Sequence, residues 1–358
     1  MWARWCPRPV LHAAGDRARR WARRIAACLL LACPALASAQ STIDLQPVAP
    51  GVWWVAGASG DADEHNRGAI SNLLIVADGP RTWALGSGPS PVYGRDLARV
   101  VTGATGRTLT DVIAPWSRPE LVLGSAGMPL VRVWSHHEVA GQMRERCARC
   151  VERLAIRLGA AAGDLGNQPV RIAEQLFSGS SGQLGPWRWW RLDRSTVTSP
   201  EHTTPQVVTL WWLAAAGVWA APGLIWTDGP PDLRDSSIDD LVTATRRVQA
   251  LQDQVTPVGP GSRANRWLPE QGPLAPPGIV ARHLHYWLAL REAADRAWER
   301  GDSETAAAPA LAGVDPAWLG SPRHALNWQR AWREAEARAL DRLPAAASPA
   351  STPASAAR

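Results

Sequence analysis

Two cysteines, Cys147 and Cys150, stand three positions apart near the middle of the sequence. This spacing is found in redox pairs, in halves of zinc sites and in short disulfide loops. Residues 138–158 around the pair have a helical pattern, and the sequence contains no second pair of this kind to complete a set of four thiolates. A structural disulfide, two free thiols, and redox or metal chemistry are therefore the interpretations to compare.

Histidines form the next set of candidate metal ligands. His136 and His137 precede the cysteines by about ten helical residues, roughly 15 Å at the helical rise per residue, which is too far for a shared metal. His283 and His285 lie two positions apart in a helical stretch, so they point to different faces. We expect capping or surface roles for His136 and His137, and no shared metal at His283 and His285.

The basic residues are concentrated at the N-terminus. Residues 1–39 hold seven arginines and one acid, which leaves 31 basic and 31 acidic residues of the 38 and 32 in the whole chain. The formal net charge beyond residue 39 is therefore zero. This balance does not favour nucleic acid or another polyanion as a partner.

The N-terminal segment has the layout of a secretory signal. An arginine-rich stretch ends at Arg24, a short apolar run covers residues 25–32, and Ala37-Ser38-Ala39 precedes Gln40. The apolar run is too short to span a bilayer. We expect cleavage between Ala39 and Gln40 and a periplasmic or secreted protein. In the alternative interpretation, Leu30-Leu31-Ala32-Cys33 is a bacterial lipobox and Cys33 carries a lipid anchor.

Export also affects the expected oxidation state of Cys147 and Cys150. Cleavage after Ala39 removes three of the five cysteines and leaves Cys147 and Cys150. An even pair in an oxidising compartment favours a disulfide between them.

The rest of the chain divides by pattern. Short apolar strands alternate with helical stretches up to about residue 262, as in an α/β domain. A break rich in proline and glycine follows, and residues 279–300 and 324–343 are expected to be helical. The predicted organisation is a signal peptide (1–39), an α/β domain (43–262), a helical C-terminal extension (263–344) and a disordered tail (345–358).

Several segments resemble the metallo-β-lactamase superfamily and come in its order: residues 47–55, Asn66-Arg67-Gly68-Ala69-Ile70-Ser71-Asn72, Ser87-Gly88-Pro89-Ser90, residues 119–124, residues 231–236 and residues 324–331. The last segment is similar to a narrower exported group, the quinoprotein relay system zinc metallohydrolases, which has relatives near sulfur-oxidation genes. The resemblance implies an αββα sandwich. It also implies a site at one edge of the sandwich where zinc ions activate water for hydrolysis.

The same resemblance implies a His-x-His-x-Asp-His loop of zinc ligands. Aligned on Pro119 and on Val122-Leu123-Gly124, the four ligand positions hold Trp116, Arg118, Glu120 and Leu121. Tryptophan and leucine carry no ligand atom, and arginine is a permanent cation that repels a metal. Glutamate has ligand oxygens, but its side chain is one methylene longer than that of aspartate.

The later ligand positions implied by the resemblance show the same change. Gly86 stands where an aspartate is expected, Gly223 in place of the bridging aspartate, and Gly259 in place of the last histidine, whereas the third histidine is present as His202. His202 and Glu120 alone retain ligand chemistry, so we expect no zinc centre and no other cofactor. We also expect the replacements to repack, with Trp116 and Leu121 filling space and Arg118 pairing with Glu120.

These features predict an exported, non-catalytic member of this fold, and no catalytic residue is assigned. Its cleft, lined by Trp116, Arg118, Glu120 and His202, is expected to bind a small anionic or aromatic ligand or a periplasmic protein. One alternative is a residual hydrolase, metal-dependent or metal-independent. Another is a structural subunit that assembles through its C-terminal helices.

Overall fold

The computed structural model describes residues 43–196, 205–255 and 265–342. Its strands form two sheets. The first sheet contains, in spatial order, β1 (Gln46–Ala49), β2 (Val52–Val55), β3 (Leu73–Asp78), β4 (Arg81–Leu85), β5 (Asp111–Ala114), β6 (Arg132–His136) and β7 (Gln175–Phe177). The second contains, in spatial order, β12 (Arg266–Leu268), β11 (Val218–Ala220), β10 (Gln206–Leu213), β9 (Trp187–Ser195) and β8 (Ser181–Leu184).

The described helices follow the strands in chain order: α1 (Pro91–Thr105), α2 (Pro119–Val122), α3 (His137–Leu158), α4 (Ile238–Val255), α5 (Ile279–Arg300), α6 (Pro316–Leu319) and α7 (Pro322–Asp341). In this part of the chain, no helix is both long enough and apolar enough to cross a membrane. The predicted signal peptide with Ala39, Gln40 and Cys33, and the predicted tail at residues 345–358, lie outside the described residues.

The central strands of each sheet, such as β3 and β10, are buried on both faces. In β3, Leu74 and Val76 join an apolar cluster with Trp211 and Leu213 of the second sheet, so the two sheets pack face to face. Leu73 points the other way, into the cluster that the helices share. The predicted αββα sandwich is confirmed.

The C-terminal helices pack onto this sandwich rather than forming a separate body. Tyr286 and Trp287 of α5 belong to the same apolar cluster as Val208 and Leu210 of β10. Strand β12 pairs in parallel with β11 and completes the second sheet, although it lies beyond the boundary predicted at residue 262. The second sheet therefore extends to Leu268.

Helix α7 holds the loop that precedes α4. Asn327 donates from Nδ2 to the carbonyl oxygen of Pro231 at 2.7 Å, and its Oδ1 accepts from Leu233 N at 3.1 Å. Tyr286 OH lies 3.0 Å from the same amide and 3.1 Å from Nδ1 of His324. The segment that resembles the narrower family group thus positions residues 231–236.

The parallel strands bring four loops to one edge. Residues that follow parallel neighbours lie on the same side of a sheet, and here these are the loops after β4, β5, β11 and β12. Backbone bonds join them: Ser87 N donates to Leu121 O at 2.7 Å, and Glu270 N donates to Ile225 O at 2.7 Å. Thr209 N donates to Pro115 O at 3.0 Å and so links the two sheets at this edge.

His283 of α5 anchors one of these loops and makes the fold sensitive to acid. Its Nδ1 lies 2.8 Å from Ile279 O, and its Nε2 accepts from Trp226 N at 3.1 Å, which requires the neutral ring. Burial lowers the pKa of His283 to about 4. Because the unfolded chain binds a proton at higher pH, this contribution is complete above about pH 6.5 and is lost as the pH falls towards 4.

We expect the free energy of unfolding to decrease by about 2 kcal/mol between pH 7 and pH 5 through His283. Urea unfolding at both pH values measures this change. His283→Gln should remove it, whereas His285→Gln, an exposed position on the same helix, should retain it. An unchanged pH dependence in His283→Gln would contradict the assignment.

Candidate functional site

A cleft of about 300 Å³ opens at the edge where the four loops meet. Its walls come from the loop after β5, from α3, from the ends of β9 and β10, from residues 232–235 and from α7. The volume is at the lower end of the range of small-molecule sites, roughly 300–1,000 Å³. Trp116, Arg118 and Glu120, three of the four residues predicted to line a cleft, lie in its wall.

Trp116 fills the space beside Gly223. The tryptophan is only 6% exposed. Gly223 has a φ of +82°, and a Cβ atom there would lie 3.0 Å from a ring carbon of Trp116. The guanidinium groups of Arg194 and Arg118 lie 4.9 Å and 5.2 Å from the ring centroid. Two positions at which the resemblance implies metal ligands therefore pack against each other, as a large and a small residue.

Leu121 and Gly86 form a second pair of this kind. Leu121 is 1% exposed, and a Cβ atom at Gly86 would lie 3.0 Å from its Cδ2 atom and 2.6 Å from Cδ2 of Leu73. Gly86 has a φ of +83°, which disfavours any side chain. The predicted filling of space by Trp116 and Leu121 is confirmed.

Arg118 and Glu120 form a nearly buried ion pair, which confirms their predicted pairing. Arg118 Nε donates to Glu120 Oε2 at 3.2 Å, and the side chains are 14% and 5% exposed. Burial opposes the charge of Arg118, but Glu120, Glu270 and Asp232 together raise its pKa. The guanidinium is thus a resident cation that pairs with Glu120, and the charges of Glu270 and Asp232 favour it from a greater distance.

Arg194 supports the loops around the Arg118–Glu120 pair, and this role was not predicted from the sequence. It is 1% exposed, and burial lowers its pKa to about 10. Its Nε donates to Gly223 O at 2.8 Å, and Nη2 donates to Asp232 O at 3.0 Å. Nη1 donates to Arg234 O at 2.8 Å and to Ser236 Oγ at 2.6 Å. The alternation of β9 is the signal that was missed, because it places residues 190, 192 and 194 on the same inward face.

Two further buried carboxylates lie near the cleft. Opposing the effect of burial, Arg234, Arg118 and Arg194 lower the pKa of Asp232 to about 2. Burial raises the pKa of Glu270, whose Oε1 accepts from Ser71 Oγ at 2.5 Å. Asp232 is therefore a permanent anion that balances the surrounding arginines.

The turn after β12 lies at this edge, whereas Gly259 lies outside the described residues. Pro269-Glu270-Gln271-Gly272 has proline and glycine at the ends of the turn, as does the Pro-Gly-His-Gly turn that the resemblance implies. Gln271 points away from the cleft, because its Oε1 accepts from Arg323 Nη2 at 2.8 Å and its Nε2 donates to Gly60 O at 3.1 Å. This turn therefore directs no histidine at the site.

His202, the remaining histidine at an implied ligand position, also lies outside the described residues. His136 does not approach the cleft: its Nδ1 accepts from Glu138 N at the start of α3, and its Nε2 lies 3.0 Å from Gly179 O. Its predicted capping role is confirmed. His283 is buried and His285 exposed on α5, which confirms that they face different sides.

The predicted disulfide between Cys147 and Cys150 is wrong, because both are free thiols in the structure. Both residues lie inside the continuous helix α3. Residues three apart on a helix have Cβ atoms about 5–6 Å apart, farther than the ~3.8 Å typical of a disulfide. Burial raises the pKa of Cys147 to about 12 and also raises that of Cys150, which lines the cleft.

Arginine dominates the cleft. Its lining includes seven arginines and three carboxylates, an excess of four positive charges. The arginines are Arg118, Arg146, Arg153, Arg157, Arg194, Arg234 and Arg330. A field of this sign attracts anions.

The residues of the described part do not fit the zinc centre that the resemblance implies. No three histidine, cysteine, aspartate or glutamate side chains are grouped there as a metal site requires. The ion-paired guanidinium of Arg118 and the ring of Trp116 occupy the loop that would carry the first ligands. A second cation beside Arg118 would be repelled.

The chain matches no protein-family model. No curated protein is significantly similar to it. Three solved structures, each with a TM-score of 0.50, are similar in fold. A metallo-β-lactamase from Pontibacter korlensis is 11% identical, over 69% of this chain and 99% of that one. FIM-1 from Pseudomonas aeruginosa, in its mono-zinc form, is 13% identical over 69% and 95%, and the Erythrobacter litoralis enzyme is 13% identical over 69% and 97%. At these identities the likeness concerns the fold alone, and the chain has the metallo-β-lactamase fold.

Proposed function

We propose that this protein is a non-hydrolytic binding protein whose cleft accepts a small anion. The observation that carries the proposal is the resident guanidinium of Arg118, ion-paired with Glu120 at the edge where the resemblance implies zinc. A zinc centre supplies hydrolysis by activating a bound water. A guanidinium cannot take this role, because it has no open coordination position and does not lose its proton in proteins.

The packing of Trp116 favours an anion over an aromatic ligand. Its ring contacts two guanidinium groups and the Gly223 backbone, and it is only 6% exposed. A ligand ring therefore has little of the tryptophan face available for stacking. The excess of arginine in the lining supports electrostatic recognition instead.

Export and the narrower relationship are parts of the same proposal. The leader pattern up to Gln40 supports a periplasmic or secreted protein, with lipidation of Cys33 as the alternative. The similarity of residues 324–331 supports a relationship to the quinoprotein relay system zinc metallohydrolases. An accessory role beside periplasmic oxidation of small molecules, with a periplasmic partner protein, is consistent with both.

Metal analysis of the full mature chain tests the non-hydrolytic function. After incubation with zinc and gel filtration, we expect substoichiometric zinc and no hydrolysis of β-lactam or thioester substrates. His202→Ala and the control His285→Ala, at an exposed histidine on α5, should both equal the wild type. Stoichiometric zinc with hydrolysis that only His202→Ala abolishes would refute the proposal.

A further inference from the structure

We propose that the cleft binds a doubly charged tetrahedral oxyanion, phosphate or sulfate, free or as a monoester, and that Arg153, Arg157 and Arg330 bind it. This inference rests on the proposed function, because it names the ligand class of the same cleft. Its basis is the contrast between cleft arginines that already bond to groups of the protein and cleft arginines that remain available to a ligand.

Several cleft arginines already serve the protein itself. Arg118 pairs with Glu120, and Arg234 Nε donates to Asp232 Oδ2 at 2.7 Å. Arg194 donates hydrogen bonds from all three of its guanidinium nitrogens to backbone and side-chain oxygens of the loops around it. These groups build the floor of the cleft and have little capacity left for a ligand.

Three other arginines in the wall have no carboxylate partner among the described residues. Within residues 43–196, 205–255 and 265–342, Arg153, Arg157 and Arg330 form no ion pair, and Arg153 has only a long contact of 3.8 Å from Nη2 to Cys150 Sγ. Arg153 and Arg157 are exposed and Arg330 is half-buried. Their guanidinium groups therefore remain able to donate hydrogen bonds to a ligand.

The helices bring these arginines to one volume. Arg153 and Arg157 are four positions apart on α3, which places them on one face together with Cys150 and Leu154 of the cleft wall. Arg330 approaches from α7. Like charges at this helical spacing repel each other. A bound anion between them removes that repulsion.

The charge balance indicates a dianion. The lining holds seven arginines against three carboxylates, so a dianion neutralises more of its excess positive charge than a monoanion does. The planar guanidinium matches phosphate or sulfate oxygens with two parallel hydrogen bonds. A cleft of about 300 Å³ accepts such a group with a small substituent but not an extended polyanion.

Isothermal titration calorimetry with inorganic phosphate, phenyl phosphate and the monoanion benzoate tests the ligand class. We expect both phosphates to bind and benzoate to bind at least about tenfold more weakly, because it carries one charge fewer. Tighter binding of phenyl phosphate supports a monoester, and tighter binding of inorganic phosphate supports the free ion. Equal or tighter binding of benzoate would overturn the proposal.

Single substitutions by glutamine locate the site. Arg153→Gln, Arg157→Gln and Arg330→Gln should each weaken phosphate binding about tenfold, since each removes charge-assisted hydrogen bonds. Arg144→Gln is the matched control, because Arg144 is an exposed arginine on α3 outside the cleft. Equal effects of Arg144→Gln and the cleft variants would overturn the proposal, because they would indicate attraction by overall charge alone.

Alkylation of Cys150 provides a second readout inside the cleft. Iodoacetamide should modify Cys150, and phosphate should slow this reaction in the wild type at an about tenfold lower concentration than in Arg153→Gln. Cys147, only 1% exposed, is the internal reference. Absence of protection at saturating phosphate would place the anion elsewhere and overturn the proposal. This result would not affect the conclusion drawn from the zinc measurement. Conversely, zinc-dependent hydrolysis would refute the non-hydrolytic function even if phosphate protected Cys150.

Discussion

Replacing Arg194 by methionine is expected to destabilise the protein by about 4 kcal/mol. The substitution leaves the carbonyl oxygens of Gly223, Asp232 and Arg234 without their donor in a buried environment. Each buried acceptor left unsatisfied costs roughly 1–3 kcal/mol, so the summed loss exceeds what the added apolar surface returns. Such a loss is a large part of the ~5–15 kcal/mol by which domains are stable.

Urea unfolding followed by circular dichroism measures this change. Arg188→Met is the matched control, because Arg188 lies on the same strand, is exposed, and has its guanidinium 5.2 Å from the Trp190 ring. Its substitution should cost less than about 1 kcal/mol. If Arg194→Met were as mild as Arg188→Met, the buried network of Arg194 would not support the cleft.

Replacing Gly223 by alanine is expected to destabilise the protein by about 3 kcal/mol. One part is backbone strain, because a φ of +82° is unfavourable for a residue with a Cβ atom. The other part is overpacking, since the new methyl group would lie 3.0–3.2 Å from three ring atoms of Trp116. The aspartate that the resemblance implies at this position would meet the same obstacles.

A double-mutant cycle separates the two parts. In a Trp116→Ala background, Gly223→Ala should cost only the backbone strain of about 1–2 kcal/mol, because the ring is absent. Gly60→Ala is the control for strain alone, since Gly60 has a φ of +91° and a methyl group added there would meet no atom within 4 Å. Additive effects of Trp116→Ala and Gly223→Ala would show that the two residues do not constrain each other.

Much of the fold was predictable because strands buried on both faces have continuous apolar runs. Strands β5 (Asp111–Ala114) and β10 (Gln206–Leu213) are buried at every position, and the helix predicted at residues 279–300 coincides with α5. Strand β12 was not predictable, because it is only three residues long, too short for a pattern, and owes its place in the sheet to its pairing with β11.

The candidate site was predictable in part. Alignment with the implied ligand positions assigned four residues to the site: Trp116, Arg118, Glu120 and Leu121. Their mutual packing was inferred from their size and charge. The disulfide prediction was wrong, because the compartment argument ignores the geometry that a helix imposes on Cys147 and Cys150. The arginines of α3 were missed because charges along a helix ordinarily indicate a solvated face.

The sequence by itself determined that the loop at residues 115–124 cannot supply the implied set of zinc ligands. The reason is that a side chain has or lacks ligand atoms in any conformation. It also determined that the chain beyond residue 39 has no net charge. The tertiary structure alone decided where that balanced charge lies, and it gathers an excess of four positive charges in one cleft. Coulomb interactions depend on distance, and only folding brings arginines of α3, β9 and α7 close together while pairing others with carboxylates.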